Sequence, residues 1–481
     1  MIENTLSTTQ NVAAVSGQVN LLVSKARVAQ KIAEGFDQAR VDELVTAAGW
    51  AIIEPARNRE LAELAVRDTG IGNVDDKVMK NYRKTFGLLR DLQGALSVGV
   101  ISEDQKNGLV EIARSVGVVC AITPSTNPAA TPANKIINAL KGRNAIIIAP
   151  SPKGWSTAAR LVHYMHEQFD RIGAPRDLIQ VLPSPITKES THELMRQCDL
   201  VVATGSQANV RAAYASGTPA FGVGAGNVAS IVDETANAQL AAAHVLRSKT
   251  FDNATSCSSE NSLVIVAAAR EAMISALKER GAVLLNPQQK EKLQALMWPD
   301  GKLSPAVIGQ SATVIAQLAG LDELAALNPK ILLVDEDFAT GVGYEHPFSG
   351  EKLCPVLTLY SAQDFEQAMN IVSKVYAFQG AGHSVGLHSS RDDRALALGL
   401  ALPVSRVIFN QAHCIATGGS FDNGLPFSLS MGCGTWGKNN FSDNMNYRHF
   451  LNITRISKPI AERMPSERDV FSSFFDKFGK A

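Results

Sequence analysis

The sequence predicts an α/β protein with two doubly wound α/β units, and two observations indicate this. Short runs rich in Val, Ile and Leu, closed by Gly or Pro, alternate with stretches in which apolar residues recur at helical spacing. The runs are apolar throughout, which is typical of strands buried on both faces of a parallel sheet. The alternation starts near Val116 and restarts after Glu260, so we expect two layered units with right-handed crossovers.

The first unit follows a segment, residues 24–96, that we expect to be mostly helical because Leu and Ala recur in it at helical spacing. The strands predicted for this unit are 116–122, 145–149, 178–182 and 200–202. The helices predicted for it are 131–141, 156–172 and 188–197.

The second unit continues the alternation and then gives way to loops. Its predicted strands are 263–266, 282–285, 355–359 and 385–387, with a helix over 270–279. Gly-rich loops follow Leu400. Ser466 is expected to cap a final helix whose Phe side chains form an apolar stripe. We expect this helix to pack on the body of the protein or on a neighbouring subunit; docking to a larger assembly is the alternative.

Charge and cysteine content narrow the class of protein. Lys plus Arg and Asp plus Glu each total 46, so the chain lacks the positive charge expected of a nucleic-acid-binding protein. Its apolar runs are too short to cross a membrane, and its polar start does not resemble a signal peptide. Six cysteines without CxxC spacing predict neither a zinc site nor disulfides. We therefore expect no metal, no membrane partner, and a cytoplasmic location.

One cysteine differs from the others in its surroundings. Cys257 lies among hydroxyl side chains in the polar segment 251–262, just before a buried strand and between the two units. Ligand-binding clefts often form at the junction between two domains, so this thiol is a candidate nucleophile. Glu260 is close in sequence, but it would raise the pKa of a thiol that it faced. No activating group for the sulfur is evident in the sequence.

Polar and glycine residues that follow predicted strands are candidates for ligand contacts. Asn127 precedes a proline, which favours an extended backbone, and its amide can donate to an oxygen beyond the end of the strand. Gly205 and Ser206 open a helix, where backbone amides can face a pyrophosphate. Residues 222–227, with Gly224 at their centre, have the glycines of a dinucleotide-binding loop. However, a strand-like run follows them, not the helix that such a loop opens.

Seven segments occur in an order that resembles the aldehyde dehydrogenase superfamily, and most closely its CoA-acylating branch. They are TPSTNP, KGRNAIIIAPSPK, ATGS, FGVGAGN, the segment around Cys257, EKLCPV and GAGHSVGLHS. The resemblance covers about residues 20–460. It implies an aldehyde dehydrogenase-like fold of two doubly wound α/β domains with a small oligomerisation element. It also implies oxidation of a small aldehyde, with NAD or NADP as cofactor and coenzyme A as co-substrate.

The resemblance further implies roles for particular residues. Cys257 matches the nucleophile, and Asn127 matches the amide of the oxyanion hole. Glu351 of EKLCPV matches the carboxylate that holds the nicotinamide ribose. Gly205 and Ser206 match contacts to the pyrophosphate.

Two further positions bear on how the acyl group leaves. His383 of GAGH stands where acylating members carry a histidine near the active site; a proton acceptor and a structural residue are both open interpretations. Hydrolytic members carry a glutamate that serves as base for water, but Gly222 stands at the matching position. A thiol, with a pKa of about 8.5, is partly ionised near neutral pH, whereas water, at about 15.7, needs a base. This favours transfer to coenzyme A; a hydrolytic enzyme that releases the free acid is the alternative.

Cofactor and substrate preferences follow from the same resemblance. Many NAD-selective members place a carboxylate shortly after the strand predicted at 145–149, but Lys153 stands in that region, which favours NADP. The favoured aldehydes are sulfoacetaldehyde and succinate semialdehyde, with acetaldehyde and propionaldehyde as alternatives. Arg406, His413 and Lys438 are candidate cations for an acidic tail group of the substrate.

The expected organisation is a dinucleotide-binding domain over 1–235, a catalytic domain over 236–435 and a C-terminal segment over 436–481. By resemblance, a hairpin at about 98–116 and a strand near 452–456 join subunits into a homodimer or homotetramer. A rival interpretation is an assembly or docking protein that retains an inherited fold. It leaves the candidate nucleophile, amide and carboxylate unexplained.

Overall fold

The computed structural model describes residues 2–337 and 341–480, with side chains from residue 15 onward. Residues 1, 338–340 and 481, which fall inside the expected domain ranges, lie outside the described residues. The described α-helices are α1 (Ile2–Ala33), α2 (Gln38–Ile53), α3 (Pro55–Thr69), α4 (Val74–Leu92), α5 (Ala130–Lys141), α6 (Trp155–Arg171), α7 (Lys188–Gln197), α8 (Gln207–Ala215), α9 (Ala238–Thr250), α10 (Ala267–Glu279), α11 (Pro287–Met297), α12 (Ala312–Leu318), α13 (Asp322–Ala326), α14 (Phe365–Phe378), α15 (Asp392–Ala401), α16 (His413–Ala416) and α17 (Glu467–Phe478). The described strands are β1 (Gly99–Asp104), β2 (Leu109–Ser115), β3 (Val118–Thr123), β4 (Ala145–Pro150), β5 (Ile179–Val181), β6 (Leu200–Ala203), β7 (Ala220–Gly222), β8 (Val228–Val232), β9 (Glu260–Val266), β10 (Ala282–Leu284), β11 (Ile331–Asp335), β12 (Val356–Ala362), β13 (Val385–His388), β14 (Val407–Phe409) and β15 (Leu451–Ser457).

The helical segment at the start of the chain ends in α4, the helix that later lines the candidate site. Asn73 caps α4, because its side chain accepts the Asp76 backbone N–H at 2.9 Å. Two acidic residues in the first turn also stabilise α4, because negative charge interacts favourably with the positive amino end of the helix dipole. The inner face of α4 buries Lys77 and Lys80 as well as apolar side chains. Buried lysines require partners, so this face indicates a polar cluster inside the protein.

The first sheet is parallel and has the strand order β5-β4-β3-β6-β7. β3, β4 and β6 are buried along their whole length, as their continuous apolar sequence predicts. The chain runs outward from β3 to β5 on one side and then crosses to β6 on the other. This reversal between β3 and β6 creates a crevice at the carboxyl ends of these two strands, where open α/β sheets bind ligands.

The second sheet is also parallel, with the order β10-β11-β12-β9-β8-β13-β14. The two sheets confirm the predicted pair of doubly wound α/β units. β9 starts at Glu260, three residues ahead of the predicted strand. Glu260, Asn261 and Ser262 are polar yet buried, because β9 lies between β12 and β8 in the sheet interior. Tertiary position therefore overrides composition there.

A third sheet is antiparallel and joins a hairpin that precedes the first parallel sheet to a strand near the C-terminus. β1 and β2 form a hairpin, and β15 pairs with β2 from Leu451↔Ser115 to Ser457↔Leu109. Its role in joining subunits stays a prediction. Ser466 caps α17 as predicted, because its side chain accepts the Asp469 N–H. The expectation that this helix packs on the body of its own chain is wrong, since none of its residues is buried. Packing on a neighbouring subunit stays a prediction.

Candidate active site

The candidate site residues lie in loops at the ends of strands, where the first parallel sheet meets the second. Asn127 follows the carboxyl end of β3 in the first sheet. Cys257 precedes the amino end of β9, Glu351 precedes β12, and His383 precedes β13, all in the second sheet. The structure therefore brings side chains from widely separated positions to one seam between the two sheets.

Cys257 lies in a short loop between a 3-10 turn, Phe251–Ala254, and β9. Its residue is partly exposed, whereas the other cysteines are buried; all six are free thiols. The loop packs tightly against Gly226, where a Cβ atom would come within 1.9 Å of the Cys257 carbonyl oxygen. Any larger residue at 226 would therefore displace the loop that carries the thiol, which gives the glycine of FGVGAGN a role apart from a dinucleotide.

His383 is the side chain that contacts the thiol. The Cys257 Sγ lies 3.3 Å from His383 Nε2, and His383 Nδ1 lies 2.7 Å from Ser384 Oγ. Burial, together with the positive charge of Arg406, lowers the pKa of His383 to about 3. The imidazole is therefore neutral at pH 7, and with Nδ1–H donating to Ser384, its Nε2 can accept a proton from the thiol.

The charge around the sulfur disfavours a thiolate in the resting protein. Burial and then the Glu351 carboxylate raise the pKa of the Cys257 thiol above its ordinary value. Arg406 acts in the opposite direction but is outweighed. A neutral thiol paired with a neutral imidazole is thus the resting state at pH 7. The acid that acts on the sulfur is Glu351, whereas Glu260 hydrogen-bonds Ser248 Oγ.

Glu351 is held in the loop that leads into β12. Its backbone N–H donates to Gln379 Oε1 at 3.1 Å, and its carboxylate accepts from the Gly226 N–H. Burial raises the pKa of the carboxyl to about 8. At pH 7 this side chain is largely protonated, which reduces its repulsion of a sulfur anion.

The Asn127 amide is oriented by a buried ion cluster that the sequence analysis did not find. Lys80 Nζ donates to Asn127 Oδ1 at 2.8 Å, to Thr255 Oγ1 at 3.2 Å and to Asp252 Oδ2 at 2.5 Å. Lys77 Nζ also contacts the Asp252 carboxylate, at 3.1 Å. Because an ammonium group only donates, the atom of Asn127 that it contacts is the carbonyl oxygen. The Nδ2 group is then free to donate to a substrate oxygen.

The same cluster fixes the start of the loop that carries the thiol. Asp252 is fully buried and adopts a positive φ of 50°, a conformation that aspartate tolerates better than most residues. Burial would raise the pKa of Asp252, but Lys80 and Lys77 outweigh it and hold the pKa below the ordinary value. A signal was present in the sequence: Lys77, Lys80 and Lys84 recur at spacings of three and four and so share one helix face.

The residues predicted to bind a dinucleotide have different surroundings. Ser206 caps α8 and is exposed, and Gly205 lies next to Pro124 of the segment that carries Asn127. Lys153 is exposed in a 3-10 turn after β4. Gly224 is buried, and its N–H already donates to Asn439 Oδ1 at 3.0 Å. Gly205 and Ser206 follow β6, and Lys153 follows β4, the two strands that flank β3. Amides, a hydroxyl and an ammonium at the carboxyl ends of these strands suit a dinucleotide phosphate.

A small recess of about 30 Å³ lies beside the candidate site, and we name it the α4 recess. Its lining consists of Lys80, Arg83, Lys84, Asn127, Phe251, Ser256, Cys414, Ile415 and Leu429. Its volume corresponds to about two water positions, so it fits a group of only a few heavy atoms. A cavity of about 980 Å³ lies elsewhere, against the three-stranded sheet.

The cations proposed from the C-terminal region do not line the α4 recess. Arg406 is buried and donates to the carbonyl oxygens of His383, Gly432 and Ser442 and to Asn444 Oδ1. His413 is buried with both ring nitrogens unpartnered, and Lys438 is exposed. Their contact with an acidic tail group of the substrate stays a prediction, whereas the α4 recess takes its cations from α4, far away along the chain. Among residues 2–337 and 341–480, no cluster of three or more potential metal ligands occurs. No helix in this described part is long and apolar enough to cross a membrane.

Comparisons with known proteins give a consistent result. The sequence profile of the aldehyde dehydrogenase family matches residues 3–294. An acylating sulfoacetaldehyde dehydrogenase from Cupriavidus necator is 64% identical, over 97% of this chain and 94% of that protein. An acetylating succinate-semialdehyde dehydrogenase from Clostridium kluyveri is 37% identical, over 95% and 100% of the two chains. The crystal structure of an acetylating aldehyde dehydrogenase from Geobacillus thermoglucosidasius superimposes with a TM-score of 0.89 at 36% identity, covering 95% of this chain and 99% of that one.

Proposed function

The chain belongs to the aldehyde dehydrogenase family, among its acylating enzymes, and we propose that it converts sulfoacetaldehyde to its coenzyme A thioester through Cys257. The observation that carries the proposal is the 3.3 Å contact between Cys257 Sγ and His383 Nε2. The substrate is proposed from the relative that is 64% identical, which is named for sulfoacetaldehyde. The net reaction consumes aldehyde, coenzyme A and NAD(P)⁺ and gives acyl-CoA, NAD(P)H and a proton.

The first step forms a carbon–sulfur bond. His383 Nε2 accepts the thiol proton, and the Cys257 sulfur adds to the aldehyde carbon as the carbonyl electron pair moves to oxygen. Asn127 Nδ2 donates to that oxyanion, since Lys80 occupies the other end of the amide. A preorganised donor of this kind contributes roughly 10²–10³ in rate.

A nicotinamide cofactor would lie in the crevice between β3 and β6, the usual ligand side of such a sheet. The chemistry it would supply there is acceptance of a hydride from the carbon that carries the sulfur, which would leave a thioester. Gly205 and Ser206 would hold its pyrophosphate at the start of α8, and Glu351 would hold its ribose. Exposed Lys153 would pair with a 2′-phosphate, so we propose NADP as the preferred form.

In the second half of the reaction the acyl group moves to coenzyme A. The thiolate of coenzyme A attacks the thioester carbon, and the bond from that carbon to the Cys257 sulfur breaks. His383, protonated in the first step, can return its proton to the departing sulfur. A thiol competes well with water here because it ionises more readily and is the stronger nucleophile toward a thioester.

Trapping the covalent intermediate tests the proposal. The enzyme is mixed with sulfoacetaldehyde and oxidised cofactor without coenzyme A, and intact mass with peptide mapping locates the adduct. We expect an acyl adduct on Cys257, no adduct in Cys257→Ala, and an unchanged adduct in Cys414→Ala, whose thiol is also close to Asn127. An adduct on another residue, or NAD(P)H formation in Cys257→Ala, would refute the covalent route. Continuous NAD(P)H formation without coenzyme A would instead indicate a hydrolytic enzyme.

The cofactor preference has its own test. Lys153→Glu should raise KM for NADP and leave KM for NAD equal or lower, because a carboxylate repels the 2′-phosphate but accepts a ribose hydroxyl. Lys438→Glu is a suitable control, since Lys438 is also exposed but lies outside this sheet edge. An equal effect of Lys153→Glu on both cofactors would refute the proposed contact.

A further inference from the structure

The α4 recess has an unusual charge distribution for its position beside the candidate nucleophile. Lys80, Arg83 and Lys84 project into it from one face of α4, as their spacing of three and four residues requires. At its other end are Asn127 and Ser256, the residue that precedes Cys257. No carboxylate occurs among the described residues that line it. The recess therefore presents an excess of positive charge next to the reacting centre.

Lys80 is not available to a ligand. Its ammonium has three N–H donors, and Asp252, Asn127 and Thr255 accept all three. The positive charge of Lys80 is also balanced by the buried Asp252 carboxylate. Any ligand-binding role of this helix face falls to the other two cations.

Arg83 and Lys84 have donors to spare. In the described ranges, Arg83 has one hydrogen bond, from Nη2 to Ser420 Oγ at 3.4 Å, although its guanidinium carries five N–H groups. Lys84 Nζ donates to the carbonyl oxygens of Gly418 at 2.8 Å and Gly419 at 3.3 Å. Neither cation has a carboxylate within 4.0 Å among these residues.

Burial disfavours the charged forms of these two cations. Burial lowers the pKa of Lys84 to about 8 and also lowers the pKa of Arg83. The neighbouring charges do not remove the excess: Arg247 acts against Asp422 near Arg83, and Arg83 and Lys80 act together on Lys84. Their partners are a hydroxyl, two carbonyl oxygens and the ring faces of Phe421 and Phe427, none of which carries a negative charge. A small anion entering the recess would therefore supply the counter-charge that these partly buried cations lack.

We propose that Arg83, assisted by Lys84, binds the sulfonate of sulfoacetaldehyde and so determines the preference for an aldehyde with an anionic end. This rests on the proposed function, because it names the residues that recognise that substrate. The planar guanidinium can donate two parallel hydrogen bonds to sulfonate oxygens, as it does to carboxylate or phosphate. With the sulfonate at Arg83, the short substrate would extend toward Asn127 and Cys257. The small volume of the recess favours a short chain between aldehyde and anion.

A comparison of charged and neutral aldehydes tests this assignment. Arg83→Met keeps an aliphatic side chain but removes the positive charge and the paired N–H donors of the guanidinium. We expect kcat/KM for sulfoacetaldehyde to fall roughly 10- to 100-fold, the range for losing a charged hydrogen bond, while kcat/KM for butanal stays within about threefold. Arg83→Lys should give an intermediate loss. Arg90→Met, on the same helix but outside the recess, is the matched control and should change neither value.

Direct binding separates this proposal from the proposed function. Calorimetric titration of Cys257→Ala with sulfoacetaldehyde measures affinity without turnover, and adding Arg83→Met should weaken it by the same factor. If Cys257→Ala binds sulfoacetaldehyde and the Arg83 change leaves the affinity unaltered, Arg83 is not the anion site although the proposed substrate stands. If the wild-type enzyme oxidises butanal better than sulfoacetaldehyde, the proposed substrate and this site both fail. An equal loss for both aldehydes, or a rise in KM for coenzyme A alone, would also overturn the assignment.

Discussion

Glu351→Gln should make the cofactor-free protein more stable above about pH 6 and should weaken its binding of the nicotinamide cofactor. Burial beside Cys257 raises the pKa of the Glu351 carboxyl from 4.5 to about 8. Between these two values the folded protein holds a proton that the unfolded chain releases. The free energy of unfolding therefore falls as pH rises through this window.

The magnitude follows from the two pKa values. One pKa unit corresponds to about 1.4 kcal/mol, so at pH 7 the buried carboxyl costs the fold at most ~3 kcal/mol. The glutamine of the variant keeps an acceptor for the Gly226 N–H but carries no charge. We expect it to recover ~1–3 kcal/mol at pH 7 and almost nothing near pH 4.5, where the carboxyl is protonated or nearly so in both states.

Thermal unfolding between pH 4.5 and 9 measures this difference as a change in Tm that grows with pH. Glu345→Gln is the control, because Glu345 is exposed and lies only six positions away. The cofactor KM should rise in Glu351→Gln and not in the control. A Tm difference that does not change with pH, or a loss of stability at pH 7, would refute the reasoning. Greater stability with weaker cofactor binding would mean that the carboxylate is kept for function.

Three further predictions concern the buried ion cluster and His383. Asp252→Asn should destabilise the protein by ~3–5 kcal/mol in urea unfolding, because two buried lysines lose their counter-charge; a loss below ~1 kcal/mol would contradict this. Lys80→Met should lower kcat roughly 10- to 100-fold, with KM for coenzyme A unchanged, because the Asn127 amide can then turn; an unchanged kcat would show that Asn127 needs no such support. With a His383 pKa of about 3, the pH profile of kcat/KM should show no imidazole limb between pH 5 and 7. A limb near pH 6.5 that vanishes in His383→Gln would contradict the neutral pair.

The fold class and family could be predicted from the sequence because their signals are local. Continuous apolar runs are required of strands buried on both faces, so β3, β4 and β6 were evident without any structure. Motif order predicted the CoA-acylating branch, which the relatives and solved structures confirm. Cys257, Asn127, Glu351 and His383 were each candidates from their motifs, but the 3.3 Å between the thiol and the imidazole depends on the packing of distant segments.

The ion cluster and the α4 recess could not be predicted in the same way, because their members are distant along the chain. Lys80 and Asp252 are 172 positions apart and meet only when α4 packs against the loop that carries the thiol. Arg406, a candidate cation near the C-terminal loops, donates to backbone carbonyls instead, which its sequence neighbours do not indicate. The chain alone determined which elements form and which chemistry is present. The tertiary structure decided which charges lie beside the candidate nucleophile, since burial and pairing depend on contacts between distant segments.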